Sequence, residues 1–169
     1  MRGLILPLLR QPLRLSFIAC FVFCWSSLLI AYFYMEKYLL LAPCPLCILD
    51  RLVVAGMGFA YLALIFIAAR PWRLALLAFN WVLLAAGFVF AGRHIWLQYR
   101  AADPAASCLS DTEAAKTFIE IIARAFDAKG DCGAVYWQFA GMSIPEQVLL
   151  MFAVFAAFLA WQTVQVWRA

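Results

Sequence analysis

The sequence predicts an all-α integral membrane protein: a bundle of four transmembrane helices with a short amphipathic helix in an outward-facing loop. Of the 169 residues, 68% are hydrophobic and only 13% are charged, and the uncharged residues are concentrated in four long windows. A soluble core cannot hide so large a hydrophobic fraction, because soluble proteins cover their surface with polar residues. We therefore expect a single membrane domain comprising residues 1–169.

Each uncharged window is close to the roughly 20 residues that a helix needs to cross about 30 Å of hydrocarbon. A helix also satisfies its own backbone hydrogen bonds, as the apolar bilayer requires. Because the number of spans is even, both termini are expected on the same side. The predicted spans are residues 15–35, 52–69, 74–92 and 147–167, and the predicted outer loops are residues 36–47 and 94–145.

The charged residues divide between the two sides of the predicted bundle. All nine acidic residues fall on the side of the outer loops, together with seven basic residues. The other basic residues precede the first span, separate the second from the third, or follow the fourth: Arg2, Arg10, Arg14, Arg70, Arg73 and Arg168. The positive-inside rule assigns both termini and the Arg70–Arg73 turn to the cytoplasm.

The N-terminal segment has a second interpretation, as a cleaved signal peptide, because basic residues precede an apolar run. That run exceeds the roughly 7–15 residues of a signal-peptide core, and no small-residue cleavage site precedes Glu36. We therefore interpret the segment as the first span. The topology accounts for the net charge of +4, which indicates no nucleic-acid partner.

A tight cysteine pair, Cys44 and Cys47, lies on the outer side just before the second span. The prolines at 43 and 45 favour an extended chain through Cys44, so the helix is expected to begin near Leu46 or Cys47. The partial positive charge at a helix N-terminus lowers the pKa of a thiol and favours the reactive thiolate. Arg51, one turn further along the helix, is placed to stabilise a thiolate or another anion, or else to act as an interfacial anchor or to form an ion pair beside Asp50.

A second cysteine pair, Cys108 and Cys132, brackets a predicted helix in the long outer loop. Residues 110–113 match the capping-box pattern, and apolar residues then recur at helical spacing up to Phe126. A disulfide between these cysteines requires the flanking loops to fold back, because a helix of about 15 residues spans roughly 22 Å. Such a bond is either mobile and reducible or a static staple across the loop.

The outward cysteines have three possible uses: disulfide chemistry, a Cys₄ metal site, or simple packing. Disulfides persist outside the cytoplasm, and zinc ribbons usually carry two tight pairs rather than one, so redox use is favoured. Cys20 and Cys24, inside the first span, are interpreted as packing thiols. His94, at the outward end of the third span, is either a snorkelling interfacial side chain or part of a ligand or proton site.

Over essentially its full length the chain resembles the disulfide bond formation protein B (DsbB) family of bacterial membrane oxidoreductases. The resemblance rests on the four spans, the outward Cys44-x-x-Cys47 pair at the start of the second, Arg51 four residues later, and Cys108 and Cys132 around a loop helix. The segment 137–141 leading to Pro145 also looks like the family's return to the membrane. Asp50 departs from the family, which often has Gln or Glu before the arginine.

The resemblance implies a thiol:quinone oxidoreductase of the bacterial inner membrane. Cys108 would exchange disulfides with a periplasmic thioredoxin-fold oxidant, disulfide bond formation protein A (DsbA) or a relative of it, and Cys132 would then pair transiently with Cys44. Cys47 would contact a bound ubiquinone or menaquinone, which the sequence does not distinguish. Arg51 and His94 would support the same quinone.

Two other classes remain open from the sequence. Membrane thiol enzymes of the vitamin K epoxide reductase type share the C-x-x-C motif and quinone use, but they differ in thiol arrangement and span order. Alternatively, the chain is a metal-binding or purely structural four-helix membrane protein with static disulfides.

Overall fold

A computed structural model describes residues 2–41, 43–100, 135 and 137–168, with side chains described from Pro12 onward. The described chain is almost entirely helical. Its elements are α1 (Arg2–Leu29), a π-helical continuation (Ile30–Tyr38), α2 (Pro45–Phe66), α3 (Arg70–Arg100), β1 (Gln138–Phe139), β2 (Met142–Ser143) and α4 (Ile144–Arg168). The short helix predicted between Cys108 and Cys132 lies outside the described residues.

The predicted fold class is confirmed, because four of the described helices are long and apolar enough to cross a membrane. These spans are Pro12–Tyr38, Pro45–Phe66, Arg70–Arg100 and Ile144–Arg168. The second span begins at Pro45 rather than near residue 52, and the third runs on to Arg100 rather than ending near residue 92. The predictions ended each span at a charge, whereas long basic side chains at a helix end can reach the interface while their backbone stays helical.

The second helix is central to the bundle. It packs against both α1 and α3, and α3 in turn packs against α4, while α1 and α4 make fewer contacts. Phe17, Tyr61 and Phe152 are the largest of the fully buried side chains. Many other large apolar side chains, such as Leu15 and Val82, remain exposed along the helices, and hydrocarbon is the solvent that suits such a surface.

The close approach of α3 and α4 depends on Gly87. A Cβ at this position would lie 2.6 Å from Cζ of Phe152, which is shorter than any ordinary carbon contact. Small residues commonly allow membrane helices to approach each other in this way, because packing drives their association in lipid. Gly87 therefore fixes the spacing between these two helices.

The chain enters α4 through a small hairpin and a capping box. Phe139 pairs with Met142 across a two-residue turn, in which Ala140 and Gly141 have positive φ angles of 54° and 79°, as hairpin turns of type I′ require. Glu146 then accepts hydrogen bonds from the backbone N–H of Ser143 at 2.7 Å and from its hydroxyl at 3.0 Å. Glu146 thus supplies the glutamate half of the capping box, which satisfies the N–H of the residue before the helix.

Contacts between helix ends show which residues share an end of the bundle. Arg70 donates a hydrogen bond to the backbone carbonyl of Trp167 and lies over its ring, and Arg73 lies over the ring of Phe17. The α2–α3 turn is therefore at the same end as the C-terminal end of α4 and the basic N-terminal part of α1. Cys44 and Cys47, at the start of α2, lie at the opposite end.

Candidate functional site

The tight cysteine pair is held by the first turn of α2. Cys44 is the N-cap residue, with extended backbone angles (φ −73°, ψ 162°), and Pro45 takes the first helical position, where a missing N–H costs nothing. The Sγ of Cys44 accepts a hydrogen bond from the backbone N–H of Cys47 at 3.3 Å. The predicted helix start is thus correct to within two residues, and it places Cys47 in the first turn.

The two sulfur atoms are in direct contact in the reduced, dithiol form. Cys44 Sγ donates to Cys47 Sγ across 3.0 Å. Both side chains are half-buried, so the pair is neither sealed in the core nor fully in solvent. The helix N-terminus, with its partial positive charge, favours the anionic form of a thiol at this position.

The single histidine of the chain comes to this pair from α3. His94 Nε2 lies 3.7 Å from Cys44 Sγ, and the side chain is only 5% exposed. Its burial differs from the snorkelling interfacial position that was the simpler interpretation of the sequence. The difference arises because α3 continues past His94 to Arg100 and because this face of the helix packs against the start of α2.

Apolar side chains form the floor beneath the thiols. Leu46 and Leu49 are buried on α2, and Phe90 and Leu97 of α3 pack against them together with Cys44. Leu46 and Leu49 are three residues apart and therefore lie on the same face of α2. This face packs against Phe90 and Leu97 of α3. These apolar side chains exclude water from one side of the thiol pair.

Arg51 does not contact the thiols or pair with Asp50. Its guanidinium forms a salt bridge with Glu36, and it also donates to the carbonyl of Ala31 at 3.5 Å. Both partners lie in the π-helical end of the first span. The wider turn of a π-helix places the Glu36 carboxylate beside α2. Arg51 and Glu36 keep 27% and 20% of their side-chain surface exposed.

Asp50 is the buried acid of the site. It is only 5% exposed, and its Oδ1 has no hydrogen-bond partner among the described residues. Its carboxyl group lies close to Cys47, one turn before it on α2, and to His94 of α3. Buried carboxylate oxygens are nearly always hydrogen-bonded in folded proteins, so this atom is an exception that needs a cause.

The remaining cysteines fall into two groups. Cys108 and Cys132 lie outside the described residues. Cys20 and Cys24 are buried in α1, with 6% and 0% exposure, and Cys20 Sγ lies 3.5 Å from the side-chain amide of Gln162. Their burial within the helix bundle agrees with the packing role expected from the sequence.

The sequence interpretation missed three polar residues at this end of the bundle. Ser143 and Glu146 carry a capping-box signature, S-x-x-E before an apolar run, which would have predicted the start of α4. Glu36 carries no such local signal, because its pairing with Arg51 depends on the π-helical geometry between Ile30 and Tyr38. Among the described residues, Cys44, Cys47 and His94 also form the one group with the spacing of metal ligands.

Comparison with known proteins identifies the family. The family model "Disulfide bond formation protein DsbB" matches residues 13–162. Similar curated proteins, each called disulfide bond formation protein B, come from Stutzerimonas stutzeri (42% identical, covering 91% of this chain and 96% of the relative), Psychrobacter arcticus (35%, covering 73% of each) and Nitrosococcus oceani (31%, covering 91% and 93%). No solved structure matches. The chain thus belongs to the DsbB family, the multi-pass membrane oxidoreductases of disulfide bond formation.

Proposed function

We propose that this protein reoxidises a periplasmic thioredoxin-fold dithiol oxidase, DsbA or a relative, and passes the electrons to membrane quinone. The observation that carries the proposal is the thiol pair at the start of α2, where Cys44 and Cys47 are 3.0 Å apart and His94 approaches Cys44 to 3.7 Å. A thiol pair at a helix N-terminus beside a buried imidazole is suited to thiolate chemistry rather than to packing. Because the family acts in disulfide bond formation, we propose that the reaction runs toward oxidation of the partner.

The proposed reaction consists of two thiol–disulfide exchanges followed by a two-electron oxidation. A thiolate of the reduced partner attacks the Cys108–Cys132 disulfide at Cys108; the partner leaves oxidised, and the two loop cysteines remain as thiols. Cys132 then attacks the Cys44–Cys47 disulfide at Cys44, which forms a Cys132–Cys44 bond and releases Cys47 as a thiolate. Attack of Cys108 on Cys132 restores the loop disulfide and releases Cys44, so that Cys44 and Cys47 are both reduced. Cys44 and Cys47 then give up two electrons and two protons when their disulfide forms again, and a quinone bound beside Cys47 would be the acceptor.

The positions of Cys44 and Cys47 support different roles for them, Cys44 in exchange with the loop thiols and Cys47 in contact with quinone. Cys44 is the cap residue, at the end of the outer loop, whereas Cys47 lies within the first turn of the membrane helix. A loop thiol therefore reaches Cys44 more directly, and a group dissolved in the bilayer reaches Cys47 more directly. The hydrogen bond from the N–H of Cys47 to Cys44 Sγ holds the Cys44 side chain beside Cys47, in position for disulfide formation.

The residues around the pair fit a quinone. The apolar floor of Leu46, Leu49, Phe90 and Leu97 suits an uncharged ring. The buried Oδ1 of Asp50 has no hydrogen-bond partner among the described residues, and as an acceptor it suits a hydroxyl group of the quinol, the reduced form of the quinone. Binding sites for small molecules commonly combine such an apolar lining with a few fixed polar groups. We assign Cys47, Arg51 and His94 as the residues that would hold the quinone.

Two of the supporting side chains have distinct tasks in this proposal. Arg51 is oriented by Glu36 and remains partly exposed, so its cationic donors keep a fixed position at the membrane interface. His94 is buried beside Cys44 Sγ, where a ring nitrogen takes up or returns a thiol proton without solvent. His94 thereby favours the charged state of a thiol during the exchange, whereas Arg51 is available to the quinone.

The proposed orientation puts both termini in the cytoplasm and the thiols in the periplasm. Its support is the basic end of the bundle, where Arg70, Arg73 and Arg168 cluster with the N-terminal part of α1. Positively charged loops are retained on the cytoplasmic side during insertion. The opposite end, with Cys44 and His94, then faces the compartment in which disulfides persist.

The test is a turnover assay with the purified protein in detergent. We expect the absorbance of oxidised ubiquinone or menaquinone to fall catalytically after reduced DsbA is added, and we expect each of the Ser variants at Cys44, Cys47, Cys108 and Cys132 to lose this turnover. The matched control replaces Cys20 and Cys24 with Ala, which removes two thiols that the mechanism does not use. Absence of turnover with both quinones, in protein of native helix content, would contradict the proposal and favour a static or metal-binding role.

A further inference from the structure

Three side chains at the start of α2 have the chemistry and spacing of a metal site. Cys44 Sγ, Cys47 Sγ and His94 Nε2 all lie within 4.8 Å of one another. Two thiolates and one imidazole form a donor set that Zn²⁺ prefers, and catalytic zinc sites often use three protein ligands with the fourth position open. The set is unlike the four-thiol site that the sequence suggested as an alternative, because it needs neither loop cysteine.

The distances match tetrahedral zinc after a small movement. Zn–S bonds of about 2.3 Å and Zn–N bonds of about 2.0–2.1 Å place a sulfur and a nitrogen ligand roughly 3.5 Å apart and two sulfur ligands roughly 3.8 Å apart. Cys44 Sγ and His94 Nε2 are already 3.7 Å apart. The two sulfur atoms, at 3.0 Å, would separate by less than about 1 Å, which rotation of one side chain provides.

The charges around the three ligands also suit a cation. Arg51, the nearest basic residue along α2, is already paired with Glu36, so its charge is largely compensated. Asp50 contributes a buried carboxyl group close to Cys47 and His94, and its Oδ1 has no partner among the described residues. Carboxyl groups that support zinc ligands typically strengthen metal binding.

We propose that the reduced Cys44–Cys47 pair and His94 bind one Zn²⁺ ion, and that formation of the Cys44–Cys47 disulfide abolishes the site. Binding exchanges the two thiol protons for the metal and transfers no electrons. Oxidation of the pair removes both sulfur ligands and releases the ion. The site goes beyond the proposed function and competes with it, because zinc would occupy the dithiol whenever electrons have arrived and no acceptor has removed them.

The experiment is a zinc titration of the full-length protein in detergent, with a chromogenic chelator as competitor. The background variant carries Ser at positions 108 and 132, so that the loop thiols contribute nothing. We expect one zinc ion per chain in the reduced protein and none in protein whose Cys44–Cys47 pair is oxidised. Equal binding by the two forms would overturn the proposal.

Variants then assign the ligands in the same background. Cys47→Ser should abolish stoichiometric binding. His94→Gln should weaken it at least tenfold, since the loss of a group that only supports a metal ligand already costs about 10–100-fold. The matched control, Cys20→Ala with Cys24→Ala, should bind as the background does. Binding that follows Cys20 and Cys24, or that is unchanged in His94→Gln, would refute the assignment.

Cobalt provides a readout that does not depend on affinity. Co²⁺ substituted into the reduced background should show thiolate-to-metal charge transfer and the intense visible bands of tetrahedral coordination, and both should disappear in Cys47→Ser. Circular dichroism and gel filtration would exclude variants that fail to fold. The titrations contain neither quinone nor DsbA, so failure of zinc binding leaves the oxidoreductase proposal intact, and failure of quinone turnover leaves the zinc result standing.

Discussion

The described residues contain two cysteine pairs, one at the start of α2 and one within α1, and the surroundings of the two pairs differ completely. Cys44 and Cys47 stand at a helix N-terminus, half-buried, beside a histidine, a buried acid and a partly exposed arginine. Cys20 and Cys24 lie in the middle of α1, enclosed by apolar side chains and the amide of Gln162. Residue type and spacing alone therefore do not make a thiol reactive; the helix end and the charges around it do.

The sharpest test of this difference is a pair of single replacements. Cys47→Ser should reduce quinone turnover to the background rate, because no second sulfur remains to form the disulfide. Cys24→Ser, in the buried pair, should retain turnover at a rate close to that of the original protein. Quinone absorbance after addition of reduced DsbA measures both, and substantial activity in Cys47→Ser would contradict the assigned roles.

Removal of Arg51 should have the next largest effect. Hydrogen bonds to charged groups contribute about 1.5–3 kcal/mol, so Arg51→Ala should raise the apparent KM for quinone by roughly 10–100-fold. The rate of disulfide exchange with reduced DsbA, measured in a single turnover without quinone, should change much less. Glu36→Gln keeps the guanidinium of Arg51 but removes the carboxylate that orients it. This variant should raise the KM for quinone by less than Arg51→Ala does. An unchanged KM in Arg51→Ala would exclude the arginine from the quinone site.

A substitution in the packed interior of the bundle should change the stability of the protein and leave its quinone reduction unchanged. In Gly87→Ala the new methyl group meets the ring of Phe152 at 2.6 Å, and overpacking of this kind costs about 1–3 kcal/mol. Thermal unfolding in detergent should shift to lower temperature, while the KM for quinone stays the same in the folded fraction. Gly92→Ala is the matched control on the same helix, because a Cβ there meets no described atom within 4 Å. Equal stability of the two variants would show that α3 and α4 are not held at this distance by Gly87.

The smallest expected effect concerns the start of α4. Ser143→Ala removes the hydroxyl that bonds to Glu146, and loss of a cap residue typically costs about 0.5–2 kcal/mol. The thermal midpoint should fall slightly, and exchange with reduced DsbA should slow, because the cap anchors the hairpin that leads from the outer loop into α4. Ser143→Thr, which keeps a capping hydroxyl, should restore both measurements. A midpoint that is equally low in the Thr variant would show that the cap is not the cause.

The sequence was sufficient for the helices and for the position of Cys44 and Cys47 at the start of α2, but not for the contacts around that pair. The uncharged windows predicted four spans because lipid leaves the chain few alternatives to helices, and Pro45 with Cys44 marked the start of α2. The salt bridge between Glu36 and Arg51 was missed, since it depends on a π-helical turn that no residue pattern announced. The burial of His94 was missed because it depends on how α2 and α3 pack, which one-dimensional periodicity does not report.

The hydrogen bond between Tyr99 and Glu146, 3.2 Å long, has a consequence for the segment that carries Cys108 and Cys132. It joins the last turn of α3 to the first turn of α4, and the same carboxylate also caps α4. Both attachment points of this segment are therefore held side by side, and its thiols are tethered to the same molecule as Cys44. Tethering of this kind raises the effective concentration of one group at another to about the millimolar range. In the proposed reaction, exchange between Cys132 and Cys44 is thus an intramolecular step whose rate does not depend on the amount of protein in the membrane.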